Sequence, residues 1–172
     1  MGLAIADAFY TAGLNVAVVD INGELCQSYE KEHDKQRCLA VQCDITKEES
    51  VNDLFSKVIG KFTTIDVLVN SAGVMDRFDP VGTLDKDLWD RVLAVNLTAP
   101  MMMTKGAISH MLEQNIEGSI INIGSLASIK GWSAGDNLPL LHMLDPRHQS
   151  PYTNVSDRCR VHSQQARPPR ID

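Results

Sequence analysis

The sequence predicts an α/β fold, a doubly wound parallel sheet with helices on both faces, and three observations predict it. Short apolar runs end in polar or small residues at 16–20, 38–44, 65–73 and 118–125. Stretches of helical period lie between them, joined by short connections. The runs are nearly continuous in apolar character rather than alternating, which suits strands covered on both faces. Strands and helices that alternate in this way build a parallel sheet, because each crossover returns the chain to the same end.

Each element follows from its residues. Residues 1–12 read as a helix, because Leu3, Ala6 and Phe9 recur at helical spacing and Gly13 stands where a helix stops. No strand stands before it. A dinucleotide-binding unit starts with a strand and a Gly-rich turn, then a helix whose N-terminus faces the pyrophosphate. Gly2 fits the last glycine of such a turn; taken alone it is a flexible residue after the initiator Met. The strand Val16-Ala17-Val18-Val19 follows and ends in Asp20. A carboxylate there can accept both hydroxyls of a ribose and repels a 2′-phosphate, which favours NAD over NADP. Its plainer reading is a solvated turn aspartate before Asn22-Gly23.

Residues 24–36 are polar and helical, a solvated surface. The strand 38–43 leads into Asp44 and Ile45, and Asp44 reads locally as a residue leading into the next helix, because Thr46-Lys47-Glu48-Glu49 has the form of a capping box. Val51, Leu54, Phe55, Val58 and Ile59 make one apolar helical face, with Gly60 as its end. The strand 65–69 runs into Asn70 and Ser71, polar side chains at a carboxyl end, where ligands sit in open α/β sheets. Ala72 and Gly73 leave room for a close approach to the backbone. After a loop over 74–83, Leu84, Leu88, Val92 and Val95 form another helical stripe. Pro100 suits the first turn of a second helical segment reaching 114. Met101, Met102 and Met103 read as gap-filling core. The strand 118–124 puts Ser125 at its carboxyl end.

The totals bound the class. A chain of 172 residues, 44% hydrophobic and 22% charged, is one soluble globular domain with room for a sizeable core. A formal charge of −6 argues against nucleic acid as a partner. No apolar run reaches membrane-spanning length, and no basic flank with an apolar core marks a secretory signal, so the expected location is cytoplasmic. Cys26, Cys38, Cys43 and Cys159 have no metal-like spacing and read as reduced thiols; no metal is expected.

The order Asn70-Ser71-Ala72-Gly73, then Val95-Asn96-Leu97 within a helix, then Gly118-Ser119-Ile120-Ile121-Asn122-Ile123-Gly124-Ser125 resembles the short-chain dehydrogenase/reductase family. The resemblance covers Gly2 to about Gly135. It implies a Rossmann-like, NAD(P)-binding domain that transfers a hydride between a nicotinamide and a small secondary alcohol, polyol or carbonyl, with the hydride chemistry supplied by the cofactor. It implies that Ser125 hydrogen-bonds the reacting oxygen and that Asn96 anchors a water in the proton relay. Asn70, Ala72 and Gly73 match the turn that supports the sheet and the cofactor. Asp44 would hydrogen-bond the adenine, and Ile45 would pack on its face. The long helix would pack against its copy in a homo-oligomer, and neither nucleic acid nor membrane is implied as a partner.

Then the pattern breaks. The family's Tyr-x-x-x-Lys is expected shortly after Ser125, yet Leu138 and His142 stand at those places. Tyr152 imitates the tyrosine segment, but it lies too far on and its fourth following residue is Ser156; an unassisted phenol is a poor proton shuttle at neutral pH. Nothing nearby positions His142 as an acid or base. Residues 145–172 hold Pro146, Pro151, Pro168, Pro169 and five arginines with little apolar periodicity, and read as a disordered tail outside the family. Such a switch points to an altered reading frame, a retained intron or an alternative exon. The expected organisation is therefore a partial NAD(P)-binding domain over 1–135 and a non-family tail over 136–172, truncated at both ends of the sheet. Without Tyr and Lys the chain as written is expected to be inactive. The alternatives are a non-catalytic nucleotide- or partner-binding protein and a non-functional splice or gene-model product. In the doubly wound order 3-2-1-4-5-6, the strand missing at the start belongs between those at 16 and 65. Backbone groups left unpaired there cost about 1 to 3 kcal/mol each when buried, against a total stability of about 5 to 15 kcal/mol. A marginal fold is expected.

Overall fold

A computed structural model describes residues 1–75 and 81–125, and the backbone of residues 159 and 160. Helix α1 (Gly2–Thr11) ends before Gly13, whose φ of +94° is the left-handed conformation that glycine takes without strain. Strand β1 (Val16–Asp20) follows, then helix α2 (Gly23–Glu32). Asn22 caps α2, its Oδ1 accepting from the amides of Glu24 and Leu25 at 3.0 and 3.3 Å. Strand β2 (Cys38–Gln42) leads to helix α3 (Glu48–Phe62). Two expectations for α3 are corrected. Its N-cap is Lys47, with no capping side chain, so Thr46 and Glu49 form no capping box; Thr46 is spent on Asp44 instead. The helix also runs through Gly60 and stops at Thr63, where φ is +67°. One glycine in a helix costs only about 1 kcal/mol, and the apolar stripe of Val51, Leu54 and Val58, all buried, outweighs it.

Strand β3 (Val67–Asn70) precedes a short 3₁₀ turn at Val81–Thr83 and helix α4 (Lys86–Leu93), which Asp85 caps through the Asp87 amide at 2.8 Å. A single π-helical turn, Ala94–Thr98, joins α4 to helix α5 (Ala99–Glu113), which carries Pro100 in its first turn. Of the three methionines read as core, Met103 is buried but Met101 is 55% exposed. Helical geometry points consecutive residues in different directions, so only one of the three can face the sheet squarely. Strand β4 (Ser119–Asn122) follows α5, and strand β5 (Cys159–Arg160) pairs antiparallel with its Ser119 and Ile120. The rest of the expected tail lies outside the described residues.

The parallel Rossmann-like layering is as expected. Val16 pairs with Cys38, and both join Ala6 of α1 and Tyr29 of α2 in one buried cluster. The next register pair, Ala17 and Leu39, faces the other way, as do Val19 and Val41. They meet Val51, Leu54 and Val58 of α3 and Met103 of α5. Strand alternation thus serves two helical layers with apolar residues on both faces. The sheet itself is divided: β1 pairs with β2 and β3 pairs with β4, both in parallel, but among the described residues no strand joins β1 to β3. A cleft of about 920 Å³ lies between them, and Val67 beside it is 42% exposed. In the doubly wound order a further strand belongs at this position.

Candidate cofactor and active site

The carboxyl ends of the strands gather the residues that the sequence singles out. Gly2, Asp20, Ile45, Ser71 and Ala72 all line the cleft between the two half-sheets. Helix α1 begins there with no capping side chain and no acidic residue in its first turn. Its first amides are therefore donors without helical partners, the groups that take a phosphate. Gly2 lies against the turn after β3; a Cβ added to it would stand 3.4 Å from Ser71 Oγ.

Asp20 ends β1 and is exposed. Its Oδ1 accepts from the Asn22 amide at 2.9 Å, which fixes the carboxylate at the turn into α2. Asp20 is thus a turn aspartate whose carboxylate stands exposed at the strand end. An adenosine ribose at that carboxylate and a pyrophosphate at the start of α1 fit the groups present.

Asp44 is engaged differently. Its Oδ1 accepts from the Thr46 hydroxyl at 2.6 Å and from the Thr46 amide at 3.1 Å. These bonds, the hydroxyl first, hold its carboxyl below the ordinary aspartate value. Ile45 is half-buried and packs on the α3-side core cluster while also reaching the cleft.

Asn70 is the hub of the second half-sheet. Its Nδ2 donates to Asn122 Oδ1 at 2.8 Å and to Thr104 Oγ1 at 3.3 Å. Asn122 is its register partner on β4, and Thr104 comes from α5. Sequence reasoning gave neither a role, although two asparagines at equivalent strand ends were the available signal. Asn96, on the π turn, clamps the peptide of Val74: its Oδ1 accepts from the Val74 amide at 2.8 Å and its Nδ2 donates to the Val74 carbonyl at 2.7 Å. A Cβ on Gly73 would stand 3.5 Å from that same Oδ1. The extra residue of a π turn re-aims side chains, and such turns recur at functional sites. Ser125 lies three residues beyond β4, exposed at the same carboxyl end. Leu138, His142 and Tyr152 lie outside the described residues.

Cys26, Cys38 and Cys43 are free and buried, and burial raises each thiol above its ordinary value. Inert structural thiols behave so. Among the described residues no group of His, Cys, Asp and Glu is placed to hold a metal, and no helix is long and apolar enough to cross a membrane.

Residues 1–137 match the model of the short chain dehydrogenase family. The chain is 49% identical over 137 residues to the short chain dehydrogenase/reductase dpfgG of Gibberella zeae, which covers 78% of this chain and 51% of that protein. The chain thus spans about half the length of that relative. Among solved structures, a 3-ketoacyl-(acyl-carrier-protein) reductase from Brucella melitensis complexed with NADH matches with a TM-score of 0.70 at 28% identity, over 74% of this chain and 53% of that one. The closed form of a serine dehydrogenase complexed with NADP+ matches with a TM-score of 0.72 at 26% identity, over 78% of this chain and 53% of that one.

Proposed function

Given that the chain belongs to the short-chain dehydrogenase family, we propose that its described part is the dinucleotide-holding portion of an NAD-dependent oxidoreductase acting on a small secondary alcohol, polyol or carbonyl compound. The observation that carries this reading is the pairing, at one cleft, of the exposed Asp20 carboxylate with the uncapped start of α1 at Gly2. When bound, the nicotinamide supplies the hydride chemistry. The chain's own residues do the rest. Asp20 accepts the ribose hydroxyls and disfavours a 2′-phosphate, hence NAD rather than NADP, although one structural relative carries NADP+. The amides at Gly2 face the pyrophosphate. Asp44 and Ile45 border the adenine. Asn70 ties β3 to β4 and α5, which holds Ala72 and Gly73 open to the cofactor. Ser125 hydrogen-bonds the reacting oxygen, and Asn96 holds the Val74 peptide and serves the proton relay. The complete enzyme forms a homo-oligomer through α5 and works in the cytoplasm.

Calorimetric titration of the 172-residue chain with NAD and with NADP tests the reading. NAD binds more tightly than NADP, and Asp20→Ala weakens NAD at least tenfold while leaving NADP little changed. Absence of binding by either nucleotide overturns it. A second reading, nucleotide binding without turnover, is favoured by Leu138 and His142 at the places of the family's Tyr and Lys. Formation of reduced nicotinamide from NAD and a panel of secondary alcohols separates the two: turnover removes the second reading, and binding without turnover supports it.

A further inference from the structure

One peptide group holds the Asp20 carboxylate, and Gln42 holds that peptide group in turn. The peptide joining Ile21 to Asn22 donates its N–H to Asp20 Oδ1 at 2.9 Å. Its carbonyl, the Ile21 oxygen on the other side of the same plane, accepts from Gln42 Nε2 at 3.1 Å. A trans peptide is planar, with N–H and C=O pointing opposite ways, so pinning the oxygen aims the N–H. Gln42 is the register partner of Asp20 at the end of β2, and the Cys43 amide donates to the Asp20 carbonyl at 2.9 Å. Gln42 is exposed and stands outside the residues that line the cleft. Gly23 completes the arrangement. It opens α2 and takes no positive φ, so the backbone there does not require glycine. Space requires it instead: an added Cβ would stand 2.9 Å from Gln42 Cδ and closer still to Oε1. The Gln42 amide cannot give way to such a group without releasing the Ile21 carbonyl.

We propose that Gln42 is a positioning residue for cofactor choice: by gripping the Ile21 carbonyl it fixes the Asp20 carboxylate in the orientation that accepts a ribose diol and turns away a 2′-phosphate. The inference rests on the reading that Asp20 selects NAD. The Ile21–Asn22 peptide links a fixed strand end to a fixed helix start, because Asn22 caps α2 through the Glu24 and Leu25 amides. The central peptide of a turn has two orientations that differ by a flip of its plane. In the flipped one the Ile21 oxygen, not the Asn22 N–H, faces the carboxylate, and two oxygens repel. Gln42 selects the first orientation, and its donation to the carbonyl also polarises the peptide and strengthens the N–H on the far side. Without that grip the Asp20 side chain must be ordered when the ribose arrives, which weakens NAD. A carboxylate free to turn aside gives a 2′-phosphate no further disadvantage, so NADP is not weakened with it.

Calorimetric titration of the full 172-residue chain with NAD and with NADP compares the wild type, Gln42→Met and Asp20→Ala. Gln42→Met keeps the length of the side chain and removes the donor. It is expected to weaken NAD by about fivefold, the size of one net hydrogen bond, and to leave NADP little changed. A merely structural role weakens both nucleotides alike and leaves their ratio unmoved, which overturns the proposal. The chain without nucleotide gives a second readout. The Asn22 amide proton resonance is expected to move upfield in Gln42→Met, towards its position in Asp20→Ala, while that of Val18 stays in place; an Asn22 resonance that does not move overturns the proposal. Gly23→Ala is expected to lower the NAD preference in the wild type but not in Gln42→Ala, where the added Cβ has room, and equal effects in both backgrounds overturn the proposal. If Gln42→Met does not fold, this cycle decides. The two readings fail separately. If neither nucleotide binds, or Asp20→Ala leaves the preference unchanged, Asp20 is not the selector and the inference falls with that reading. If Asp20→Ala abolishes the preference and Gln42→Met keeps it, Asp20 selects unaided and the positioning role alone is overturned.

Discussion

The hydroxyl of Thr46 does two things at once: it closes the turn after β2 and it stabilises the charge on Asp44 at 2.6 Å. A hydrogen bond to an ionised group contributes more than a neutral one. Thr46→Val keeps the shape and removes the hydroxyl, so urea denaturation at neutral pH is expected to show a loss of about 1 to 2 kcal/mol. The sign of its pH dependence follows from the depressed Asp44 value. The bond stabilises the fold above the ordinary aspartate value of 3.8 and loses its effect as pH falls through the lower folded value. The difference between wild type and variant is therefore full at neutral pH and shrinks below pH 3.8; a difference that stays constant into acid assigns the effect to packing instead.

Elements were legible where a single face decides them. The stripe of Val51, Leu54 and Val58 made α3 readable, and the apolar runs located four strands to within a residue or two. What stayed hidden depended on tertiary partners. The π turn at Ala94–Thr98 is stabilised by what Asn96 grips, the Val74 peptide 22 residues earlier, and no local pattern announces it. The missing capping box at Thr46 has the same origin, since Asp44 captures the side chain that would cap. The Asn70–Asn122 pair likewise needed the β3–β4 register before it became visible. At that junction Gly118 is fully committed: an added Cβ would stand 2.5 Å from the Met111 side chain and 2.8 Å from the Asp66 carbonyl. Methionine can move, but the carbonyl accepts the Ser119 amide at 2.9 Å and so ties β3 to β4. Gly118→Ala is expected to cost about 1 to 3 kcal/mol, as overpacking does. Amide exchange should quicken at Ser119 more than at Val18; a loss of stability spread evenly over both half-sheets contradicts this location of the strain.

The division of the sheet governs how the whole molecule comes apart. The buried cluster under α1 and α2 contains residues of α1, β1, α2 and β2 alone, whereas the opposite cluster draws on β1, β2, α3, α5 and β3. Helix α3 therefore ties the two halves together, while α1 and α2 hold only one of them. Among the described residues, Ala17, Val19, Val67 and Val69 make no strand ladder across the cleft to couple the halves further. Local opening should follow that map, because a unit with few contacts to the rest opens at a lower free energy than the whole. Under increasing urea, amides of α1 and α2 are expected to exchange through an opening at least about 1 kcal/mol easier than that of Met111 and Ile120, which are almost fully buried. Tyr29 gives a second view of the same event. Burial first, then the Asp7 carboxylate, pushes its phenol up to about 12, against an ordinary value of 10.0. The opened layer thus releases a proton that the closed layer keeps, and its stability falls as pH rises from about 10 towards 12. Tyrosinate absorbance should accordingly appear together with loss of α1–α2 protection while β4 amides remain protected; one shared exchange isotherm for Tyr29, Met111 and Ile120 would show that α3 alone couples the halves into a single cooperative unit.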